Sequence, residues 1–267
     1  MPKILSPGQV EHYRRDGFAC PVPVLDAGEV RELRADLEYW EKQQGHPLDY
    51  PEKSKSYLLY RWADTLVHHP KVLDAVEDLI GPDILVYHST MWIKEAHTPA
   101  YVRWHQDGAY FFLDPLEHVT AWVALSEASE LAGCMRVIPG THRLPLVEHD
   151  DKPGPHNMIN RGQGISERFD GDKGVSMPLR TGELSLHHTA LVHCSPVRSG
   201  IDTPASPSKR SLMPWPRLIM LCGPGLSSCS TSGRRCVPAT TRMQPARSDA
   251  SESATQAVTC SSGSRKK

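Results

Sequence analysis

Through the first eighty residues apolar positions recur at helical spacing; beyond them the texture changes to short apolar runs broken by turn residues. Ser6-Pro7-Gly8-Gln9 and Asp26-Ala27-Gly28-Glu29 each place a capping side chain three positions before Gln or Glu, the reciprocal arrangement that opens a helix, with Pro7 at the first helical position. Val30, Leu33, Leu37 and Trp40 fall on one stripe of the second helix, which predicts that all four pack into the core. A third helix is predicted from Pro70 to about Gly81, burying Val72, Leu73, Val76 and Leu79. From Ile84 onward the strand candidates are 84–94, 119–125, 134–138 and the longer run ELSLHHTALVH at 183–193, with Pro139-Gly140 and Pro153-Gly154-Pro155 marking turns.

Strands at irregular spacing after a helical prelude predict a mainly β fold with helices packed on it, a sandwich or jelly roll. Helical patterns do not alternate with the strands, which argues against a parallel βα repeat. Helices over 5–81 and a β core over 83–200 make one domain, 1–200, and a different kind of sequence follows at 201–267.

Composition sharpens that division. All 14 histidines lie at or before His193, and all 8 tyrosines and 4 phenylalanines lie before residue 201. Residues 201–267 carry 10 Lys+Arg against 3 Asp+Glu, leaving 20 against 28 in the first 200, so a net charge of −1 conceals halves of +7 and −8. The tail is rich in Ser, Pro, Thr and Arg, and only LIML at 218–221 has the texture of a buried strand, so most of it is expected to be disordered. Its basic balance lacks interleaved aromatics, and no nucleic-acid partner is expected. Seven cysteines without a Cys-x-x-Cys pair read as free thiols. The N-terminal residues lack the apolar core of a secretory signal and no long apolar run follows, so a cytoplasmic protein with no membrane association is expected.

One triplet carries chemistry: His105-Gln106-Asp107, within WHQDG. On a strand, residues two apart share a face, so His105 and Asp107 can grip one ion while Gln106 points away. Two histidines and one carboxylate suit a ferrous site with open positions for a co-substrate and dioxygen. A third ligand must then come from a distant strand, where His187, His188 and His193 are available.

WHQDGAYFF, TAWVALSEASELAGCMRVIPGTHR and GELSLHHTALVHCSPVRSG, in this order, resemble the phytanoyl-CoA dioxygenase family of iron(II)- and 2-oxoglutarate-dependent oxygenases, which includes ectoine hydroxylase-like enzymes; the N-terminal LSPGQVEHYRRDGF is similar as well. The resemblance covers roughly residues 5 to 200. It implies a double-stranded β-helix, or cupin-like jelly roll, and hydroxylation of an unactivated C–H bond in a small organic molecule, with O2 and 2-oxoglutarate consumed and succinate and carbon dioxide released. Fe(2+) would be held by His105, Asp107 and His193, the last chosen because His193-Cys194-Ser195 matches the family's His-x-Ser, with His187 and His188 left to packing or supporting roles. Trp122 and Ser195 match positions flanking 2-oxoglutarate, and Lys94 and Arg198 are further candidates for binding it. Tyr110 and Arg136 are candidate substrate contacts. Because Asp107 is present, hydroxylation is expected rather than the halogenation of relatives that replace this carboxylate with a small residue.

The resemblance fails at one point. The family's far-carboxylate arginine lies about eleven residues beyond the distal histidine, where this chain has Pro204, and neither Arg198 nor Arg210 is in register. A change of reading frame near 197–203 accounts for both the missing arginine and the composition break. Two other functions stay in play: a non-catalytic relative that binds metal but has lost its co-substrate, and a non-redox metal enzyme such as a zinc enzyme on the same fold.

Overall fold

Both predicted caps form. In the computed structural model, which describes residues 2–95, 98–111, 113–159, 162–165, 171–197 and 215–221, α1 (Pro7–Asp16) and α2 (Ala27–Gln44) each open on a complete capping box, at Ser6/Gln9 and Asp26/Glu29. Between them runs β1 (Phe18–Pro23). α3 (Arg61–Val67) and α4 (Pro70–Ile80) follow. The chain then passes through β2 (Leu85–Trp92), β3 (Val102–His105), the short α5 (Gly108–Phe111), β4 (His118–Val123) and β5 (Arg136–Val137). It continues through β6 (His149–Asp151), β7 (Gln163–Ile165), β8 (Val175–Ser176), β9 (Glu183–His188) and β10 (His193–Ser195) to β11 (Trp215–Leu221).

Among the described residues the strands pair antiparallel in a five-stranded sheet ordered β1-β9-β4-β11-β2, a four-stranded sheet ordered β3-β10-β5-β8, and the hairpin β6-β7. The helix-packed jelly roll read from the sequence is therefore the fold. All six residues of β4 are buried because both faces of the larger sheet are covered. Val119, Ala121 and Val123 of β4, with Leu184 and Leu186 of β9, join Leu33, Leu37, Trp62, Leu66 and Val72 in one core cluster under the helices. The alternate residue Trp122 belongs to a second cluster with Met135, Val137, Met177 and Leu191, between the sheets.

Several expectations need correction. Trp40 is not core: it is 42% exposed, its ring tilted against Tyr60, while the next residue, Glu41, is buried and accepts a 2.9 Å hydrogen bond from the Leu48 amide. The α2 stripe thus ends one turn early, where the chain doubles back over the helix. The run 183–193 is not one strand but β9, a corner at 189–192, and β10 in the other sheet. β1 escaped sequence reading because Pro21 and Pro23 break the strand pattern; among the described residues it is an edge strand paired with β9. LIML lies within β11, between β4 and β2, whereas the composition break near residue 200 and the rest of the tail lie outside the described residues. Cys20, Cys134 and Cys194 are free thiols. Among the described residues no helix is long and apolar enough to cross a membrane.

Gly182 ties three elements together. Its amide donates to the Ala124 carbonyl at 2.7 Å, its carbonyl accepts from Val24 and Leu25, and its φ of +86° with a virtual Cβ 2.4 Å from the Leu25 carbonyl leaves no room for a side chain. Gly182→Ala is expected to destabilise the protein by about 2 kcal/mol or more, lowering the melting temperature by roughly 4–8 °C. A thermal melt unchanged from wild type would show that this junction yields at little cost.

Candidate metal centre

His105 ends β3, and its Cα partner across the smaller sheet is His193, the first residue of β10. The register alone brings their rings to a centroid separation of 4.0 Å. Each ring is oriented the same way: Nδ1 of His105 lies 2.8 Å from the Arg103 carbonyl, and Nδ1 of His193 lies 2.8 Å from the Leu191 carbonyl. A carbonyl only accepts, so each Nδ1 carries a proton, and in the neutral ring Nε2 then presents a lone pair.

Both lone pairs face Asp107. Its Oδ1 lies 3.3 Å from Nε2 of His105 and 3.6 Å from Nε2 of His193. The three ligand atoms fall within 4.8 Å of one another, and all three residues are at most 1% exposed. Two neutral imidazole lone pairs converging on a carboxylate are mutually repulsive unless a cation sits among them. The donor set therefore fits a divalent transition metal, with two neutral nitrogens and one anionic oxygen.

Asp107 does not reach this point from a strand, as the two-residue alternation predicted. β3 stops at His105, and Asp107 occupies the turn into α5, where its carbonyl accepts from the Tyr110 amide at 3.0 Å and the Gly108 amide donates to Thr189 at 2.9 Å. Gln106 points away from the centre, as expected, and both ends of its side-chain amide are engaged there. Its Nε2 donates to the Ala190 carbonyl at 2.8 Å, its Oε1 accepts from the Val147 amide at 2.9 Å, and its backbone N–H donates to Nε2 of His149 at 3.0 Å. Burial pulls the His149 pKa below the usual histidine value, which suits a neutral ring that accepts at Nε2 and donates from Nδ1 to the Val147 carbonyl at 2.8 Å. Gln106 thus staples the Asp107 turn to the corner that delivers His193.

The remaining histidines separate by position. His187, on β9, is buried beside the centre, its ring 4.6 Å from that of His193 and its Nε2 3.5 Å from Asp107 Oδ2. His188 points the other way, near Tyr13 and His142, its Nδ1 accepting from the Ala190 amide at 3.1 Å. Burial holds its pKa down to about 4, so it is neutral.

A narrow cleft lies beside the triad, lined by Trp92, Val102, Trp122, Met135, Cys194 and Ser195 as well as His105, His187 and His193. Burial pushes the Cys194 thiol up to about 12, so it faces the cleft protonated. Of the residues singled out for 2-oxoglutarate, Trp122 and Ser195 therefore line the cleft. Lys94 is buried behind it, with Nζ 3.1 Å from the Gly133 carbonyl and 2.6 Å from that of Pro196; the Ser195 hydroxyl donates to the same Gly133 carbonyl at 2.8 Å. Arg198 lies outside the described residues. Tyr110 stacks on His105 at a centroid distance of 6.0 Å. Arg136 is committed at Nη2 to the carbonyls of Gly171 (3.1 Å) and Gly174 (2.8 Å), fastening that loop.

Sequence reading missed Gln106 as a staple, His149 as its partner, and Thr120, whose hydroxyl donates to Asp107 Oδ2 at 3.0 Å. Only Thr120 left a trace, as the one hydroxyl in the apolar run VTAWVAL. Gln106→Leu strands the Val147 amide and the Ala190 carbonyl in a dry interior and is expected to lower stability by about 2–4 kcal/mol. Urea denaturation measures this, and an unchanged midpoint would refute the staple.

The chain is 27% identical over 158 residues to a probable alpha-ketoglutarate-dependent hypophosphite dioxygenase of Stutzerimonas stutzeri, covering 58% of this chain and 55% of that protein. It is 28% identical over 219 residues to the human peroxisomal phytanoyl-CoA dioxygenase, covering 72% and 64%. The chain thus spans between about half and two thirds of these curated relatives. Among solved structures it is similar to the non-heme monooxygenase ThoJ in its apo form, with a TM-score of 0.63 and 28% identity over 79% of this chain and 75% of that one. The model of the phytanoyl-CoA dioxygenase family matches residues 13–200, well over half of the sequence, and this chain belongs to that family.

Proposed function

We propose that the protein is an iron(II)- and 2-oxoglutarate-dependent dioxygenase that hydroxylates an unactivated C–H bond of a small organic molecule. The convergence of two histidine Nε2 atoms and one carboxylate oxygen at a buried point beside an aromatic cleft carries the reading, and family membership supports it. His105, Asp107 and His193 would hold the iron. Bound there, iron and 2-oxoglutarate supply the oxidative chemistry, with O2 consumed and 2-oxoglutarate leaving as succinate and carbon dioxide.

The chain's own contribution is position and exclusion. Asp107 supplies one negative charge, leaving a ferrous centre with net positive charge that attracts an anionic co-substrate. Trp92, Trp122 and Met135 keep the cleft wall apolar, which strengthens electrostatic interactions inside and keeps water from competing. For the far carboxylate of 2-oxoglutarate, Lys94 is the favoured cation among the described residues. Its ammonium and the Ser195 hydroxyl meet at the Gly133 carbonyl, so a cation and a hydroxyl stand side by side where Ser195 lines the cleft. Arg198 is the other candidate. Tyr110, stacked on His105, is placed to meet substrate, while Arg136 acts through the loop it fastens. The relatives are named for hypophosphite and for phytanoyl-CoA, two very different molecules, and the substrate class stays at a small organic molecule.

Anaerobic addition of ferrous iron and then 2-oxoglutarate is expected to raise a weak, saturable charge-transfer absorption band. Iron binding without the band would favour the reading in which the chain has lost its co-substrate. Asp107→Ala is expected to abolish 2-oxoglutarate-dependent O2 consumption, and retained turnover would remove Asp107 from the centre. Lys94→Met is expected to weaken 2-oxoglutarate at least tenfold, the scale of one hydrogen bond to a charged group, while iron binding persists; an unchanged titration would move the cation's role to Arg198.

A further inference from the structure

The two oxygens of Asp107 are held by different partners. Oδ1 faces the Nε2 atoms of His105 and His193, whereas Oδ2 accepts the 3.0 Å hydrogen bond from Thr120 and lies 3.5 Å from His187 Nε2. Thr120 and His187 are direct cross-strand partners on β4 and β9, so a single rung of the larger sheet delivers both groups to one oxygen. Thr120, His187 and Asp107 are all fully buried. The metal-facing and sheet-facing sides of the carboxylate therefore come from different sheets.

We infer that Thr120 is a positioning residue that reserves Oδ2 for the protein and restricts Asp107 to one metal-facing oxygen, Oδ1. The inference rests on the iron and 2-oxoglutarate reading above. A carboxylate can grip a cation through one oxygen or two. The second mode uses up room beside the ion that a two-point co-substrate needs. A hydrogen bond to an ionised acceptor is roughly twice as strong as a neutral one, and in a buried site no water replaces it. Without the Thr120 hydroxyl, Oδ2 loses the 3.0 Å hydrogen bond that holds it toward the larger sheet, and the carboxylate turns more readily onto the cation. Loss of the hydroxyl should then leave the metal bound as tightly or more tightly while weakening 2-oxoglutarate. A merely structural lesion weakens both.

The test compares wild type, Thr120→Val, which keeps the shape and removes the donor, and Thr120→Ser, which restores it. Each is titrated anaerobically with Co(II) alone, followed by its visible spectrum, and with Fe(II) and then 2-oxoglutarate. In Thr120→Val the metal Kd is expected to be unchanged or lower, the cobalt spectrum altered, and the Kd for 2-oxoglutarate raised on the order of tenfold, the scale of one hydrogen bond to a charged group. Thr120→Ser should return all three to wild-type values. Wild-type behaviour of Thr120→Val, or parallel loss of metal and 2-oxoglutarate, overturns the inference. If Thr120→Val does not fold, Thr120→Cys, near in size with a much weaker donor, is read the same way. If wild type binds cobalt but shows no 2-oxoglutarate-dependent band, the functional reading fails by itself. The cobalt spectra then still decide the role of Thr120, and identical spectra in wild type and Thr120→Val would refute it.

Discussion

The centre depends on one electrostatic constraint: two imidazole lone pairs and a carboxylate oxygen aimed at the same dry point. Each of these groups repels the others, and folding brings them together only because other bonds determine where they face. The Nδ1 protons of His105 and His193 are committed to carbonyls two residues back in the chain, so neither neutral ring can turn its proton toward Asp107 without breaking a buried hydrogen bond. A cation among them turns this repulsion into attraction, so the donor set fits a metal.

The sheets exist in the form that this constraint requires. The larger sheet is covered on its outer face by α2, α3 and α4, so the alternate side chains of β4 and β9 divide cleanly: Val119, Ala121, Val123, Leu184 and Leu186 under the helices, Thr120, Trp122 and His187 toward the opposite sheet. The smaller sheet supplies His105 and His193 from adjacent strands in direct register. The corner at 189–192 links the two, and its carbonyls at Thr189, Ala190 and Leu191 receive the Gly108 amide, the Gln106 side chain and the His193 ring. One short loop thus fastens both Asp107 and His193.

Much of this was readable in one dimension. The helix starts at Ser6 and Asp26 are local chemistry, decided by side chains three residues apart. The β texture after Ile84 and the order His-x-Asp then His-x-Ser led to the jelly roll and to its family. Errors came wherever a neighbour distant in sequence overrode a periodic pattern. Trp40 has the right phase for the core but lies beyond the edge of what α2 covers, and the apolar run at 183–193 hides a corner because both of its halves are buried.

The sequence by itself determined which atoms are available to a metal and the class of fold that presents them, because ligand chemistry and hydrophobic periodicity are properties of residue types and spacing. Tertiary structure alone decided how those atoms are aimed. That Asp107 sits in a turn, that Gln106 ties this turn to residue 190, and that Thr120 and His187 meet at the second carboxylate oxygen are all consequences of strand register and sheet packing. Contacts between residues 13 to 84 positions apart leave no periodic trace in the chain, and register is settled only when both faces of a sheet have found their cover.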